Sequence, residues 1–417
     1  MTESVGKYQK LKVLFISQRF LFPMNTGGKI RTGKILEELK KVFDITLVSN
    51  LEPLKDEPYL HHMKDLCEEF HSVIWKEIPR GSLHFYFKIL IGSFSRYPIS
   101  VLNDYSSSFE WKIQEVFKEK PFDLVICDFL QSSLNLSKIS GCPLLLFEHN
   151  VESILVRRHY EVSKNLISKL FWWLQWIKMD HFEKKMCQRF NGVVTVSEVD
   201  RTHLIEKYSA PKVYAIPTGV DFDYFSPLDG PIEENTLVFT GSMDWLPNED
   251  AILFFAHEIL GEIKKQGSDI RLKVVGRNPS KKLVHELNMF PEIEVLGWVE
   301  DVRPFISRSA VYVIPLRIGG GTRIKAYEAM AMGKAIVSTS IGLEGLPVEN
   351  GKNVILADTA ESFSREVVNL LRDPLTRKKF EISAREFVQR NCSWGNAAKA
   401  FEGICENVVS ENAGERG

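Results

Sequence analysis

The chain has 417 residues, 44% of them hydrophobic and 26% charged, with a formal net charge of −1. That length suits two soluble domains of about 200 residues each, and near neutrality offers nucleic acid no overall attraction, so any anion must be held by a local site. The six cysteines (Cys67, Cys127, Cys142, Cys187, Cys392 and Cys405) show no CxxC or Cys/His ligand spacing, which reads as reduced thiols of a cytoplasmic protein, and no stretch approaches the roughly 20 apolar residues of a membrane-spanning helix.

The opening "MTESVGKYQKLKVLFISQ" holds one short apolar run, which reads as a first strand rather than a signal-peptide core. From there "KVLFIS", "DITLVS", "SVIWKEI", "DLVICD", "PLLLFEH" and "GVVTVS" alternate with longer helical stretches. Runs of about five apolar residues separated by amphipathic helices mark parallel strands covered on both faces. Directly after the first run comes "FLFPMNTGGKIRTGKILEEL". It sets Gly27 and Gly28 before a helix carrying Lys29, Arg31 and Lys34, where a helix N-terminus could meet phosphate or sugar. It has neither Walker A nor GxGxxG spacing. On its own it reads better as an ordinary loop.

Near residue 150 the run "PLLLFEHN" ends on Glu148 and His149, which strand alternation points to opposite faces. The segment 163–190, "SKNLISKLFWWLQWIKMDHFEKKMCQRF", combines Trp172, Trp173 and Trp176 with five lysines. It reads either as a packed core helix or as an interfacial helix on anionic lipid.

Two prolines and a glycine interrupt the rhythm in "IPTGVDFDYFSP", residues 216–227. The boundary falls there, giving domains 1–217 and 218–392 and a C-terminal helix 393–410 expected to pack back toward the first domain. The "DFD" of this segment resembles a metal-binding acid pair, but its place between domains argues against ligation. Beyond it "NTLVFTGS", "RLKVVG", "IEVLGWV", "AVYVIPL", "KAIVST" and "NVILAD" repeat the first pattern. Two doubly wound α/β domains follow, with ligands expected beyond the carboxyl ends of their strands.

The stretch 317–333, "RIGGGTRIKAYEAMAMG", poses an electrostatic problem. Thr322 is a fitting N-cap for a helix from Arg323 to about Met332 with Gly333 as its stop. Arg323 and Lys325 in a first turn then oppose the helix dipole by about 0.3 to 1 kcal/mol each. That cost vanishes if the glycine backbone and the two cations converge on a phosphate. Glu328, among core-like neighbours, is placed to accept hydrogen bonds from sugar hydroxyls. In the bland alternative, the glycines form a loop and the cations point to solvent.

Taken in order, "GG" after the first strand, "FEHNVES", "VVTVSEVDRTHL", "IPTGVDFDYFSP", "VFTGSMDWLPNEDAILFF", "VVGRNPS", "VLGWVEDVRPFI" and "PLRIGGGTRIKAYEAMAMGKAIVSTSIGLEGL" resemble the retaining family-four (group 1) glycosyltransferases of GT-B architecture. The "GSMDWLPN" and "DVRP" forms are similar to sugar transferases of exopolysaccharide or exosortase loci. The resemblance implies two Rossmann-like domains facing across a cleft. It also implies a metal-independent, hexosyltransferase-type reaction that moves a sugar from a nucleotide-diphosphate donor to a glycan or lipid-linked acceptor. No cofactor is implied. The place would be the cytoplasm, peripheral to the inner face of the plasma membrane.

The resemblance gives Glu328 the donor ribose, Gly320, Gly321 and Thr322 the distal phosphate, and His149 the donor sugar near the reacting centre, with Gly27 and Gly28 close by. It puts Gly276, Arg277 and Val299 at the nucleobase. Two positions depart from the family. Gly320 stands where an acid often precedes Glu328 by eight residues, and Ser242, Met243 and Trp245 stand where an arginine and a lysine often follow the first strand of the second domain. Arg323 and Lys325 are expected to restore that charge as catalytic groups. An inverting reaction would instead need Asp128 or His149 as a base. A non-catalytic partner of a glycan-assembly complex is the alternative that the departures leave open.

Overall fold

Two parallel sheets carry the chain. In the computed structural model, which describes residues 10–76, 82–163, 165–318 and 323–414, the chain divides into one unit of Met1–Ile216 with Ala397–Gly417 and another of Pro217–Asn396.

The first unit holds β1 (Lys12–Ser17), β2 (Asp44–Leu51), β3 (Glu69–Ile74), β4 (Leu124–Asp128), β5 (Leu144–Phe147), β6 (Gly192–Thr195) and β7 (Val213–Ala215). Their order is β3-β2-β1-β4-β5-β6-β7, every neighbouring pair parallel. Alternation splits the core cleanly: Val13 and Phe15 enter the cluster on one face, Leu14 and Ile16 the cluster on the other. The last helix, Trp394–Gly414, buries Phe401, Ile404, Cys405 and Val408 in the first of these, and Phe401 meets Phe147 edge-on at 5.0 Å.

The second unit holds β8 (Glu233–Thr240), β9 (Arg271–Val275), β10 (Ile293–Gly297), β11 (Ser309–Ile314), β12 (Ala335–Ser338) and β13 (Ile355–Leu356) in the order β10-β9-β8-β11-β12-β13. Each sheet therefore reverses direction once, beside β1 and β4 in the first and beside β8 and β11 in the second. Ligands of doubly wound folds bind at such switch points.

Three local expectations are corrected. The third strand, Glu69–Ile74, starts three residues before the "SVIWKEI" run and keeps only its Ser72, Val73 and Ile74, because an edge strand needs alternation rather than continuous apolarity. Gly27 and Gly28 do not precede their helix; they form its first turn, Gly27–Leu39, after Thr26. Arg323 sits one residue before the helix Ile324–Ala331 rather than inside it, and Gly333, at φ +66°, follows the helix end. Gly320, Gly321 and Thr322 lie outside the described residues.

Among the described residues no helix is long and apolar enough to cross a membrane. All six cysteines are free thiols, five buried and Cys67 half-buried.

Candidate functional site

At the switch point of the first unit, Ser17 and Asp128 are register partners and the last residues of β1 and β4. Ser17 Oγ donates to Asp128 Oδ2 at 2.9 Å, and Thr32 Oγ1 reaches both carboxylate oxygens at 3.1 Å. His149, just past β5, lies 2.8 Å from Asp128 Oδ1 through Nε2 and 3.1 Å from Arg31 Nη1 through Nδ1. A guanidinium only donates, so Nδ1 accepts and the ring proton belongs on Nε2, aimed at Asp128. Burial holds the imidazole below its usual pKa, outweighing the pull of Asp128. The result is a neutral His149 bridging a buried cation and a buried carboxylate.

An unusual backbone supports it. Phe129 follows β4 at φ +66°, ψ 138°, where L side chains are strained and strain marks functional sites. Its ring stacks on His149 at 4.0 Å, with the Arg19 guanidinium 4.4 Å from the ring centroid. A Cβ on Gly28 would lie 2.5 Å from that ring. Gly28 thus makes room for Phe129, and Arg31, whose only sequence signal was a charge in a helix, is a buried partner of His149.

Glu148 turns to the opposite face. It lies buried beside Glu183, which accepts from the Glu152 amide at 2.6 Å and from Tyr208 Oη at 2.9 Å. Burial, then the Glu183 charge, pushes the Glu148 carboxyl well above its usual range. Elsewhere Glu69, His71 and Glu119 converge at the sheet edge, but Lys120 already pairs with Glu69 there.

At the switch point of the second unit, β8 ends on Thr240, whose hydroxyl bonds Tyr312 of β11. Lys325 reaches back to this end. Its ammonium donates to Asn248 Oδ1 at 2.8 Å, stands 4.2 Å from the Phe239 ring centroid, and would lie 2.6 Å from a Cβ on Gly241. Asn248 in turn donates to the Ser242 carbonyl at 2.8 Å. Nothing in the sequence marked Asn248, because an asparagine after proline reads as an ordinary helix-start residue. Burial, then the neighbouring Arg323, lowers the Lys325 pKa to about 7.

Glu328 lies on the same face of the helix, three residues on, and burial raises its carboxyl to about 7. Arg323 is buried, its Nη2 3.5 Å from the Ile341 carbonyl and its guanidinium 5.9 Å from the Trp245 ring centroid. The loops after β9 and β10 complete the rim. Gly276 donates to the Gly297 carbonyl at 2.8 Å, Arg277 donates to Ser242 Oγ at 2.9 Å, and Val299 packs its side chain on the core. Lys325, Glu328, Gly276 and Arg277 thus all belong to the carboxyl-end loops or the adjoining helix of this sheet. Met243, in contrast, is fully buried.

Known proteins share the two-domain architecture. Residues 67–224 match the family described as Glycosyltransferase Family 4, and residues 234–373 match Glycosyl transferases group 1. An uncharacterised 44.6 kDa protein of the cps region of Klebsiella pneumoniae is 19% identical over 404 residues, 94% of this chain and 98% of its own. Sucrose-phosphate synthase from Thermosynechococcus elongatus shares the fold with a TM-score of 0.73 at 18% identity, over 96% of this chain and 100% of its own. Anabaena HepE, solved with UDP and glucose, does so at 0.66 and 14%, again over 96% and 100%. Residues 67–224 and 234–373 thus carry a glycosyltransferase family 4 domain and a group 1 glycosyltransferase domain, in the two-sheet GT-B fold that these solved structures share.

Proposed function

We propose that the chain transfers a sugar, of the hexose type, from a nucleotide-diphosphate donor to a glycan or lipid-linked acceptor, with retention and without a metal, in polysaccharide or cell-envelope assembly. The observation that carries this reading is Lys325. It is drawn by Asn248 to the end of β8, on the helix that also bears Glu328.

The second departure from the family pattern becomes intelligible. Where arginine and lysine are missing after β8, an ammonium arrives from another helix and stands beside Gly241. A diphosphate leaving group gains negative charge as the glycosidic bond breaks, and a cation already in place, in a poorly solvated setting, stabilises that charge without reorganisation. Glu328 takes the ribose hydroxyls, and the loops around Gly276, Arg277 and Val299 frame the base. Gly320, Gly321 and Thr322 would offer backbone N–H groups to the distal phosphate. Arg323, directed toward Ile341 and Trp245, adds to the local potential rather than grasping the phosphate.

Retention is favoured over inversion by the first unit. Both candidates for an inverting base are buried and already engaged: His149 Nδ1 accepts from Arg31, and Asp128 accepts from Ser17, Thr32 and His149. In the retaining path the acceptor hydroxyl attacks the anomeric carbon from the leaving-group face. The carbon–oxygen bond to the diphosphate breaks, and a phosphate oxygen takes the hydroxyl proton. Within the first unit, Phe129 and Arg31 hold the His149 ring in place. HepE and the cps-region relative point to a UDP-type donor and to polysaccharide assembly.

A thermal-shift screen of the purified protein against uridine, guanosine, adenosine and cytidine diphosphates and their sugar conjugates tests the reading. At about 100 times its dissociation constant, the true donor stabilises the fold by about 2.7 kcal/mol. One base gives the shift, and Lys325→Ala loses it. A shift that survives both Lys325→Ala and Glu328→Ala sinks the site. No shift with any nucleotide favours a non-catalytic partner instead.

A further inference from the structure

Two neighbouring helices of the first unit leave apolar rows in solvent. On Leu83–Phe94 the row is Leu83, Phe87, Leu90 and Phe94; on Leu166–Arg189 it is Leu166, Ile167, Leu170, Trp173 and Ile177. Both follow helical spacing, so each is a continuous stripe. Leu83 is 90% exposed, Phe94 86%, and Leu166 and Ile167 84%. Stripes that bare are uncommon on a soluble surface and mark a docking face.

The helices are tied together. Lys178 donates to the Ser93 carbonyl at 2.6 Å, and Gln175 Oε1 accepts from the Ile99 amide at 2.9 Å. Tyr97 packs edge-on against Phe182 at 5.8 Å. The tryptophan group of the second helix divides: Trp172 stacks on His159 at 4.6 Å and Trp176 on Tyr160 at 6.0 Å, while Trp173 stays in solvent. Only part of that segment is therefore core.

The charges choose the occupant. Residues 82–103 contain no acid, and neither do residues 163–179. Their exposed ionic side chains include Arg96 and Lys169; about two turns beyond Ile177, past Asp180, which pairs with Lys207, and the buried Glu183, come the exposed Lys184 and Lys185. Aliphatic and aromatic side chains in stretches whose ionic groups are cations suit the boundary between acyl chains and anionic headgroups. A soluble protein partner would more often be met by charges of both signs.

We propose that helices Leu83–Phe94 and Leu166–Arg189 together form a docking surface for an anionic lipid bilayer. It deepens the reading of a lipid-linked acceptor and rests on that reading for its purpose, though not for its geometry.

Flotation of the full chain with vesicles of phosphatidylcholine alone, or of phosphatidylcholine with phosphatidylglycerol, tests it. The protein is expected to float with the anionic vesicles and to remain below with the neutral ones. The variant Leu83→Ser/Phe87→Ser/Leu166→Ser/Leu170→Ser lowers that binding at least about tenfold, and Arg96→Glu/Lys169→Glu lowers it further at low salt than at high salt. Since all six side chains are exposed, both variants keep the wild-type melting temperature and any nucleotide-induced shift, which separates failure here from failure of the donor site. The proposal is overturned if the wild type floats with neither vesicle or equally with both. It is also overturned if the wild type is a dimer that the serine variant dissociates, since the rows would then face a second copy.

Discussion

Asp128 and His149 meet at 2.8 Å with neither side chain exposed, and Arg31 closes the far side of the imidazole at 3.1 Å. A cation and an anion are thus buried together with a neutral ring between them. Removing one buried charge strands the other, which costs about 3 to 5 kcal/mol. Asp128→Asn and Arg31→Met are each expected to lower the unfolding free energy in urea by about that much. The double variant should lose less than the sum of the two, by about 1 to 3 kcal/mol. Additive losses would show that the imidazole does not couple the charges.

Phe129 stores strain at the same place. Its φ of +66° with ψ 138° suits glycine alone. Phe129→Ala and Phe129→Gly both lose the ring stacked on His149, so their difference isolates the backbone. Glycine normally destabilises relative to alanine; here it should be the more stable variant by about 1 to 3 kcal/mol. Equal melting curves for the two would mean that no strain is held there.

The strands were legible because β1, β4, β5 and β11 are buried on both faces, and continuous apolarity is how such strands read. The sheet edges were less so. β3 carries Glu69 and His71, and β7, Val213–Ala215, is only three residues long and was not among the runs read as strands. In the site, Lys325 and Glu328 stood out because their charges fit their surroundings badly. Asn248 and Arg31 did not, since their roles arise from contacts 77 and 118 residues away. The pairing of Ser17 with Asp128 depends on register across 111 residues. Helix and strand periodicity carry no such information.

Gly276 is required by the close approach of two strand-end loops. A Cβ there would stand 1.7 Å from the Gly241 carbonyl oxygen, a backbone atom that cannot swing aside as a side chain can. Gly276→Ala is expected to cost about 1 to 3 kcal/mol or more and to abolish nucleotide-induced stabilisation, because Gly241 also neighbours Lys325. Gly261, in the helix Leu260–Lys265, would place its Cβ in open space. Gly261→Ala should therefore stabilise the fold by about 0.5 to 1 kcal/mol. Calorimetric melting of the pair separates a steric requirement from a general dislike of substitution.

The Lys325 and Glu328 pair makes donor binding depend on pH with a sign that changes near neutrality. Both titrate at about 7 in the fold, against 10.5 and 4.5 for the unperturbed groups. The stabilising contribution of Glu328 is complete below 4.5 and is lost as pH rises through about 7, while that of Lys325 is present above 10.5 and is lost as pH falls through about 7. A bound diphosphate favours the charged ammonium, and ribose hydroxyls favour the charged carboxylate.

A nucleotide sugar, whose bridging diphosphate does not titrate in this range, should therefore bind with proton uptake at about pH 8, where Lys325 is otherwise mostly neutral. At about pH 6, where Glu328 is otherwise mostly protonated, it should bind with proton release. Affinity then peaks near pH 7 and falls by up to about tenfold per pH unit on either side. Titration calorimetry in buffers of different ionisation enthalpy reads both steps. Lys325→Arg should remove the uptake and keep the release, and Glu328→Gln should do the reverse. The same proton count at both pH values in the wild type would place the diphosphate away from Lys325 and the ribose away from Glu328.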